Sequence, residues 1–236
     1  MMLRLILSTT LASVLTYFLS INLGLGPFIA SSLVGLTSAK VFPKLAAAIY
    51  AASFASMSSK EVLPNISVSG IAGLITGLLY LFTQKVFLGI GGKLGAIAFF
   101  SVLIVSRFSS AIYFSQTLSF FEGSFLILGS CLGAVLTYYI STRFKQEAVF
   151  SSSIVVLAAG LILNIFLRFN NNLVAAITCG SYAGMSSKEV IGNYRRMCLV
   201  GLLSGIILFL SWPLFSGIGG KLGLVAFLAV FLSKPH

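Results

Sequence analysis

Hydrophobic positions in this chain fall into long runs separated by brief polar breaks. The runs cover residues 2–20, 23–39, 44–59, 66–84 and 89–108, then 123–141, 148–168, 172–187, 196–213 and 216–233. A helix of about 20 apolar residues matches the hydrocarbon core of a bilayer. Each run therefore predicts a membrane segment, and the expected fold class is an all-α polytopic membrane protein with about ten segments. The stretch 110–122 is more polar and predicts a linker, suited to lie along the interface as a short helix.

The breaks carry a second pattern, because two phrases occur twice. Met57-Ser58-Ser59-Lys60-Glu61-Val62 returns as Met185-Ser186-Ser187-Lys188-Glu189-Val190. Gly89-Ile90-Gly91-Gly92-Lys93-Leu94-Gly95 returns as Gly217-Ile218-Gly219-Gly220-Lys221-Leu222-Gly223. Both pairs are 128 residues apart, and a shared offset marks a duplicated unit. The first run matches the sixth at an offset of 121, through Leu11–Ser20 and Leu132–Ser141. The added residues of the second copy fall in the loop near 142–148, where insertions are tolerated. The first run is thus expected to be kept as a membrane segment rather than removed as a signal peptide. The domain expectation is a first repeat over 1–109, a linker over 110–122 and a second repeat over 123–236.

Five segments per copy is an odd number, so two copies in one chain must enter the membrane in opposite directions. This predicts a 5+5 inverted-topology repeat with short or broken helices, a plan shared by several carrier superfamilies. The basic residues agree with it. The side holding the N-terminus receives Arg4, Lys40, Lys44, Lys85, Lys93, Arg143, Lys145, Lys188, Arg195, Arg196 and Lys234. The other side receives Lys60, Arg107, Arg168 and Lys221. Positive residues favour the cytoplasm, which places both termini there, in a plasma membrane of the bacterial inner-membrane type.

Composition narrows the function classes. Only 8% of residues are charged and mean hydropathy is +1.08, against about 25% charged in soluble domains. No polar stretch is long enough for a separate soluble domain such as an ATPase. The net charge of +11 comes from 15 basic and four acidic residues. The basic residues are scattered singly between apolar runs, so they read as topology signals and not as a nucleic-acid surface. Cys131, Cys179 and Cys198 lack metal-ligand spacing and read as small apolar fillers, and the single histidine is residue 236. No metal, no cofactor and no enzyme activity are expected. A Ser59–Lys60 dyad fails because adjacent helical residues do not face each other.

The repeated phrases hold most of the remaining chemistry. Ser58 and Glu61 stand at the Ser-x-x-Glu spacing of a helix capping box, as do Ser186 and Glu189. Structurally, each pair would cap the fourth and ninth segments. Functionally, the segments before them (44–59 and 172–187) have 16 residues, about 24 Å of helix, which is short of a core about 30 Å thick. A helix break below the surface would then present free N–H groups beside Lys60 or Lys188, a receptor for a small anion or carboxylate. Glu61 and Glu189 would balance the lysine or carry a proton. Gly-Ile-Gly-Gly-Lys lacks the Ser/Thr ending of a P-loop and the strand context of a dinucleotide site. Its four glycines in seven residues suit either a tight turn between helices or an anion-binding nest. Leu222–Ser233 gives only about 18 Å of helix, so the last segment must begin near Ser216, drawing the motif into the membrane zone. Gly73 with Gly201 and Gly77 with Gly205 read as close helix packing.

These features predict a secondary carrier for a small anion or carboxylate-bearing solute. Its binding set is Ser58, Ser59, Lys60, Glu61, Ser186, Ser187, Lys188, Glu189, Gly91, Gly92, Lys93, Gly219, Gly220 and Lys221. A passive small-ion channel and a non-transporting assembly subunit are the alternatives. The partners expected are the lipid bilayer and a small solute or ion, with anions favoured, without nucleic acid; assembly of identical chains stays open.

Overall fold

A computed structural model of the chain describes residues 2–108, 117–166 and 171–234, with backbone alone for 164–166. Every regular element among the described residues is helical. The first copy of the repeat holds α1 (Met2–Tyr17), α2 (Pro27–Val41), α3 (Ala46–Ala55), α4 (Ile66–Thr83) and α5 (Lys93–Ser106). The second holds α6 (Phe120–Arg143), α7 (Ala148–Ala159), α8 (Asn171–Gly184), the single turn α9 (Lys188–Ile191), α10 (Tyr194–Leu210) and α11 (Lys221–Leu232). Helix α1 continues as a π-helical turn through Asn22, and α7 through Phe166. A helix lies over each apolar run. Most of the linker expected at 110–122, as well as Arg168 and His236, lies outside the described residues.

Three of these helices are long and apolar enough to cross a membrane: Met2–Asn22, Ile66–Thr83 and Phe120–Arg143. Their faces explain how they pack. On α1 the exposed residues include Leu3, Leu7, Leu11 and Leu15, one face at four-residue spacing. Its opposite face buries Thr9, Ser13 and Thr16. On α6 Phe121, Phe125, Leu128, Leu132 and Leu136 point outward while Gly129, Ser130, Gly133 and Thr137 point inward. Large apolar groups outside and small or hydroxylated ones inside reverse the pattern of a helix solvated by water.

Small residues let the backbones approach. A Cβ placed on Gly73 would lie 2.8 Å from the Thr9 carbonyl oxygen, and one on Gly205 would lie 2.5 Å from the Ile127 Cα. The expected small-residue packing at these positions is therefore present, on α1/α4 and α6/α10 respectively. Helices α5 and α11 cross where Gly95 and Gly223 meet, each leaving no room for a side chain on the other. Helix α2 lies against α7, so the two copies touch along a second line.

The helix starts correct one expectation. Neither Ser58 nor Ser186 caps the following helix. Asn65 accepts the Val68 N–H at 3.0 Å and Asn193 accepts the Arg196 N–H at 2.9 Å, so these asparagines are the caps of α4 and α10. A capping box does occur at α6, between Ser119 and Glu122. Ser58 and Ser186 are unavailable for capping because their hydroxyls accept N–H groups of the other copy's glycine phrase.

Candidate functional site

Helix α3 ends at Ala55, well before α4 begins, and the interval holds the first Ser-Ser-Lys-Glu phrase. Its partner is the glycine phrase of the other copy. The Ser58 hydroxyl donates to the Ala55 carbonyl at 2.6 Å and accepts the Gly219 N–H at 2.9 Å. The Ser59 N–H donates to the Gly217 carbonyl at 2.9 Å. The same three bonds recur with the copies exchanged. Ser186 donates to Ala183 at 2.7 Å and accepts from Gly91 at 3.0 Å, and Ser187 N–H donates to Gly89 at 2.9 Å. Each serine thus joins the carbonyl end of a broken helix in one copy to the glycine turn before a helix of the other.

Glycine is required for that fit. Gly217 has φ +84° and Gly220 φ +85°, in the left-handed region. A Cβ on Gly219 would lie 2.5 Å from the Ala55 carbonyl oxygen and 2.8 Å from the Ser58 hydroxyl. Phe87 and Phe215, two residues before each glycine turn, also adopt positive φ, at 53° and 52°. For a bulky residue this conformation costs of order 1–3 kcal/mol unless its surroundings hold it. They do: Phe215 packs edge-on against Phe99 of the first copy at 5.4 Å, and Phe87 against Phe227 of the second at 5.2 Å.

The glycine nests are therefore not wholly open. The N–H groups of Gly91 and Gly219 are committed to serine hydroxyls of the other copy. The lysines also have partners within their own copy. Lys93 Nζ donates to the carbonyls of Thr83 and Val86, each at 2.6 Å, and Lys221 Nζ donates to that of Trp212 at 2.8 Å. Each ammonium thus satisfies carbonyls left over where the preceding helix ends, the favourable terminus for a cation. Lys60, Glu61, Lys188 and Glu189 are exposed.

A cavity of about 320 Å³ opens where the first copy's serine phrase meets the second copy's glycine phrase. Met57 and Ser59 line one wall, Gly217–Lys221 another, with Trp212, Ser216 and Tyr182 between and Pro27 and Phe28 at the side. Lys221 is the one charged residue in this lining, and its Nζ lies 5.7 Å from the centre of the Trp212 ring. The Tyr182 hydroxyl reaches the Met57 sulfur at 3.5 Å, and its ring packs 4.3 Å from that of Phe54. An apolar chamber with one cation and a few hydroxyls can hold a small solute that carries a negative group and an apolar body.

Of the sequence-predicted residues, Ser59, Gly219, Gly220 and Lys221 line this cavity, and Ser58 braces its glycine wall. Lys60, Glu61, Lys188 and Glu189 do not line it; Ser186, Ser187, Gly91, Gly92 and Lys93 belong to the matching junction of opposite parentage. Tyr182, Trp212 and Phe28 are additions. Trp212 is the chain's single tryptophan and lies two residues past the end of α10, while Tyr182 stands three residues before the repeated Met, where the first copy has Phe54. Among the described residues, no group of three or more His, Cys, Asp or Glu could hold a metal ion. No protein-family model, no curated protein and no solved structure matches this chain.

Proposed function

We propose that this protein is a membrane carrier for a small anion or carboxylate-bearing solute, built as a 5+5 inverted-topology repeat and not an enzyme. The observation that carries the proposal is the exchanged pairing of the two phrases. Within either copy, one helix separates the serine phrase from the glycine phrase, so a membrane-crossing chain puts them on opposite sides. In a parallel repeat the serine phrase of one copy and the glycine phrase of the other would also fall on opposite sides. Inversion puts them on the same side, in agreement with the Ser59–Gly217 and Ser187–Gly89 bonds. The outward apolar faces of α1 and α6 support a place in lipid for these helices, and the basic residues favour cytoplasmic termini. In this reading the cavity beside Lys221 is the solute site on one side, and the junction around Lys93 becomes its equivalent on the other.

The test uses purified protein in liposomes and a panel of small monocarboxylates and inorganic anions. Wild type takes up at least one of them saturably. Binding of that anion changes the fluorescence of Trp212 in the wall of the cavity. Lys221→Gln removes the fluorescence response, whereas Lys93→Gln, which removes a similar carbonyl partner from the other copy, keeps it while slowing uptake. Uptake and fluorescence unchanged in both variants overturn the site. Turnover far above about 10³ per second indicates a channel instead of a gated carrier cycle.

A further inference from the structure

The wall of the cavity beside Lys221 is more aromatic than the repeat alone requires. Phe28, Tyr182 and Trp212 all line it. At the offset of 128, Tyr182 corresponds to Phe54 but Trp212 corresponds to Gln84. Phe28 is the second residue of α2, and the second residue of α7 is Val149. The matching junction therefore lacks a ring at two of the three places. Its serine–glycine bond is nonetheless the same, 3.0 Å against 2.9 Å. Trp212 and Phe28 are thus not needed to form a junction, and their presence at this one calls for another reason.

Contacts around the cavity hold these residues in place. Lys221 Nζ donates to the Trp212 carbonyl at 2.8 Å and lies 5.7 Å from the centre of its ring, so one ammonium meets both the backbone and the ring of this residue. Tyr182 is buried, with Phe54 behind its ring at 4.3 Å and Tyr50 edge-on at 6.2 Å. Phe28 follows Pro27, whose ring fixes the first turn of α2. Walls already ordered cost little further entropy when a ligand arrives. The ammonium sets the sign of that ligand. Aromatic faces by themselves attract cations, but Lys221, the one charge in the lining, repels them and draws an anionic group.

We propose that this cavity selects an aromatic monocarboxylate, with its carboxylate at Lys221 and one flat ring against the wall that carries Phe28, Tyr182 and Trp212. An aliphatic body would gain burial alone. A flat ring gains edge-to-face or offset contacts as well, each strengthening binding by about 2–10-fold beyond the area buried. The volume of about 320 Å³ is at the small end of the range for small-molecule sites, about 300–1,000 Å³, which suits a solute with a single ring. This inference deepens the reading of the cavity as an anion site and rests on that reading for the charge of the solute; the preference for a ring rests on the wall.

Equilibrium binding of radiolabelled benzoate to the purified protein in detergent, with unlabelled cyclohexanecarboxylate and acetate as competitors, tests this without transport. The two ring acids share charge and approximate size and differ in flatness and in their π-electrons. Benzoate is expected to bind at least about tenfold more tightly than cyclohexanecarboxylate, with acetate weaker than both. Phe28→Leu and Trp212→Leu keep an apolar wall, and each should narrow the ratio between the ring acids by about 2–10-fold. A ratio is read only from protein that still binds, and the wild-type ratio stands without any variant. Equal affinity for the two ring acids, or a ratio unchanged in both variants, overturns the selectivity and leaves an anion site. Acetate binding without benzoate binding does the same. No binding of any of the three acids overturns the anion site with it. Selective benzoate binding without uptake into liposomes sustains this inference and overturns the carrier.

Discussion

Ser58→Ala isolates the junction between the copies. The hydroxyl is 4% exposed and makes two bonds, to the Ala55 carbonyl and from the Gly219 N–H. Alanine fits the same space, so the change removes bonds without creating strain. The Gly219 N–H is left buried beneath the end of α3, and an unsatisfied buried donor costs about 1–3 kcal/mol. The Ser59–Gly217 bond remains to hold the loop, which keeps the loss from being larger. Reversible unfolding in mixed micelles, followed by Trp212 fluorescence, measures the difference. Ser67→Ala is the control, being an exposed serine in the first turn of α4, and it is expected to stay within about 0.5 kcal/mol of wild type. Ser186→Ala should match Ser58→Ala, because its bonds to Ala183 and Gly91 are the same pair in the other copy. A loss below about 0.5 kcal/mol in both serine variants would refute this account of the junction, since such values are those of surface changes.

Other features give further outcomes. Asn65→Ala and Asn193→Ala should each destabilise by about 1 kcal/mol as lost helix caps, while Glu61→Ala stays near wild type, a contrast that calorimetry or denaturant titration reads directly. Gly95→Ala places a methyl group into the backbone of Gly223 at the α5/α11 crossing and should cost at least about 1–3 kcal/mol. Gly192→Ala, in open space at φ +81°, carries only the backbone strain and is the comparison for that titration. The Cys131 and Cys198 sulfurs lie 3.2 Å apart between α6 and α10. Mild oxidation should therefore remove both from alkylation as an intramolecular bond, with buried Cys179 unchanged in mass spectrometry.

The helices were legible because a long apolar run is a local property that each segment carries by itself. Their ends were less so. Ser58 and Glu61 have the spacing of a capping box, but a spacing does not say which partner wins, and Gly219, 161 residues away, takes the serine. Asn65 and Asn193, which are also 128 residues apart, do the capping. Gly91, Gly92, Lys93 and their copies stood out from the repeat, yet their environment did not. A nest reads as empty in sequence, since the group that fills it comes from the other half of the chain. Lysines next to glycine turns read as free charges for the same reason, although Lys93 spends its ammonium on two carbonyls of its own copy. Tyr182 and Trp212 lie outside the repeated phrases and become visible only once the cavity closes around them.

The exchange of partners also bears on why both phrases are kept in both copies. If each phrase only shaped a turn in its own half, one copy could lose its serine or its glycines without consequence to the other. The bonds run the other way: Ser58 is useful because of Gly219, and Gly91 because of Ser186. A change in either half therefore damages a junction that the unchanged half still supplies. The two junctions have matching bonds, with serine–glycine contacts of 2.9 and 3.0 Å, and both are formed at once. In the proposed carrier, opening either side would break one of these junctions, and a solute could shift that equilibrium only by its difference in affinity for the two states. On that proposal, junctions of equal strength would leave the side that opens to be decided by what occupies the cavity beside Lys221.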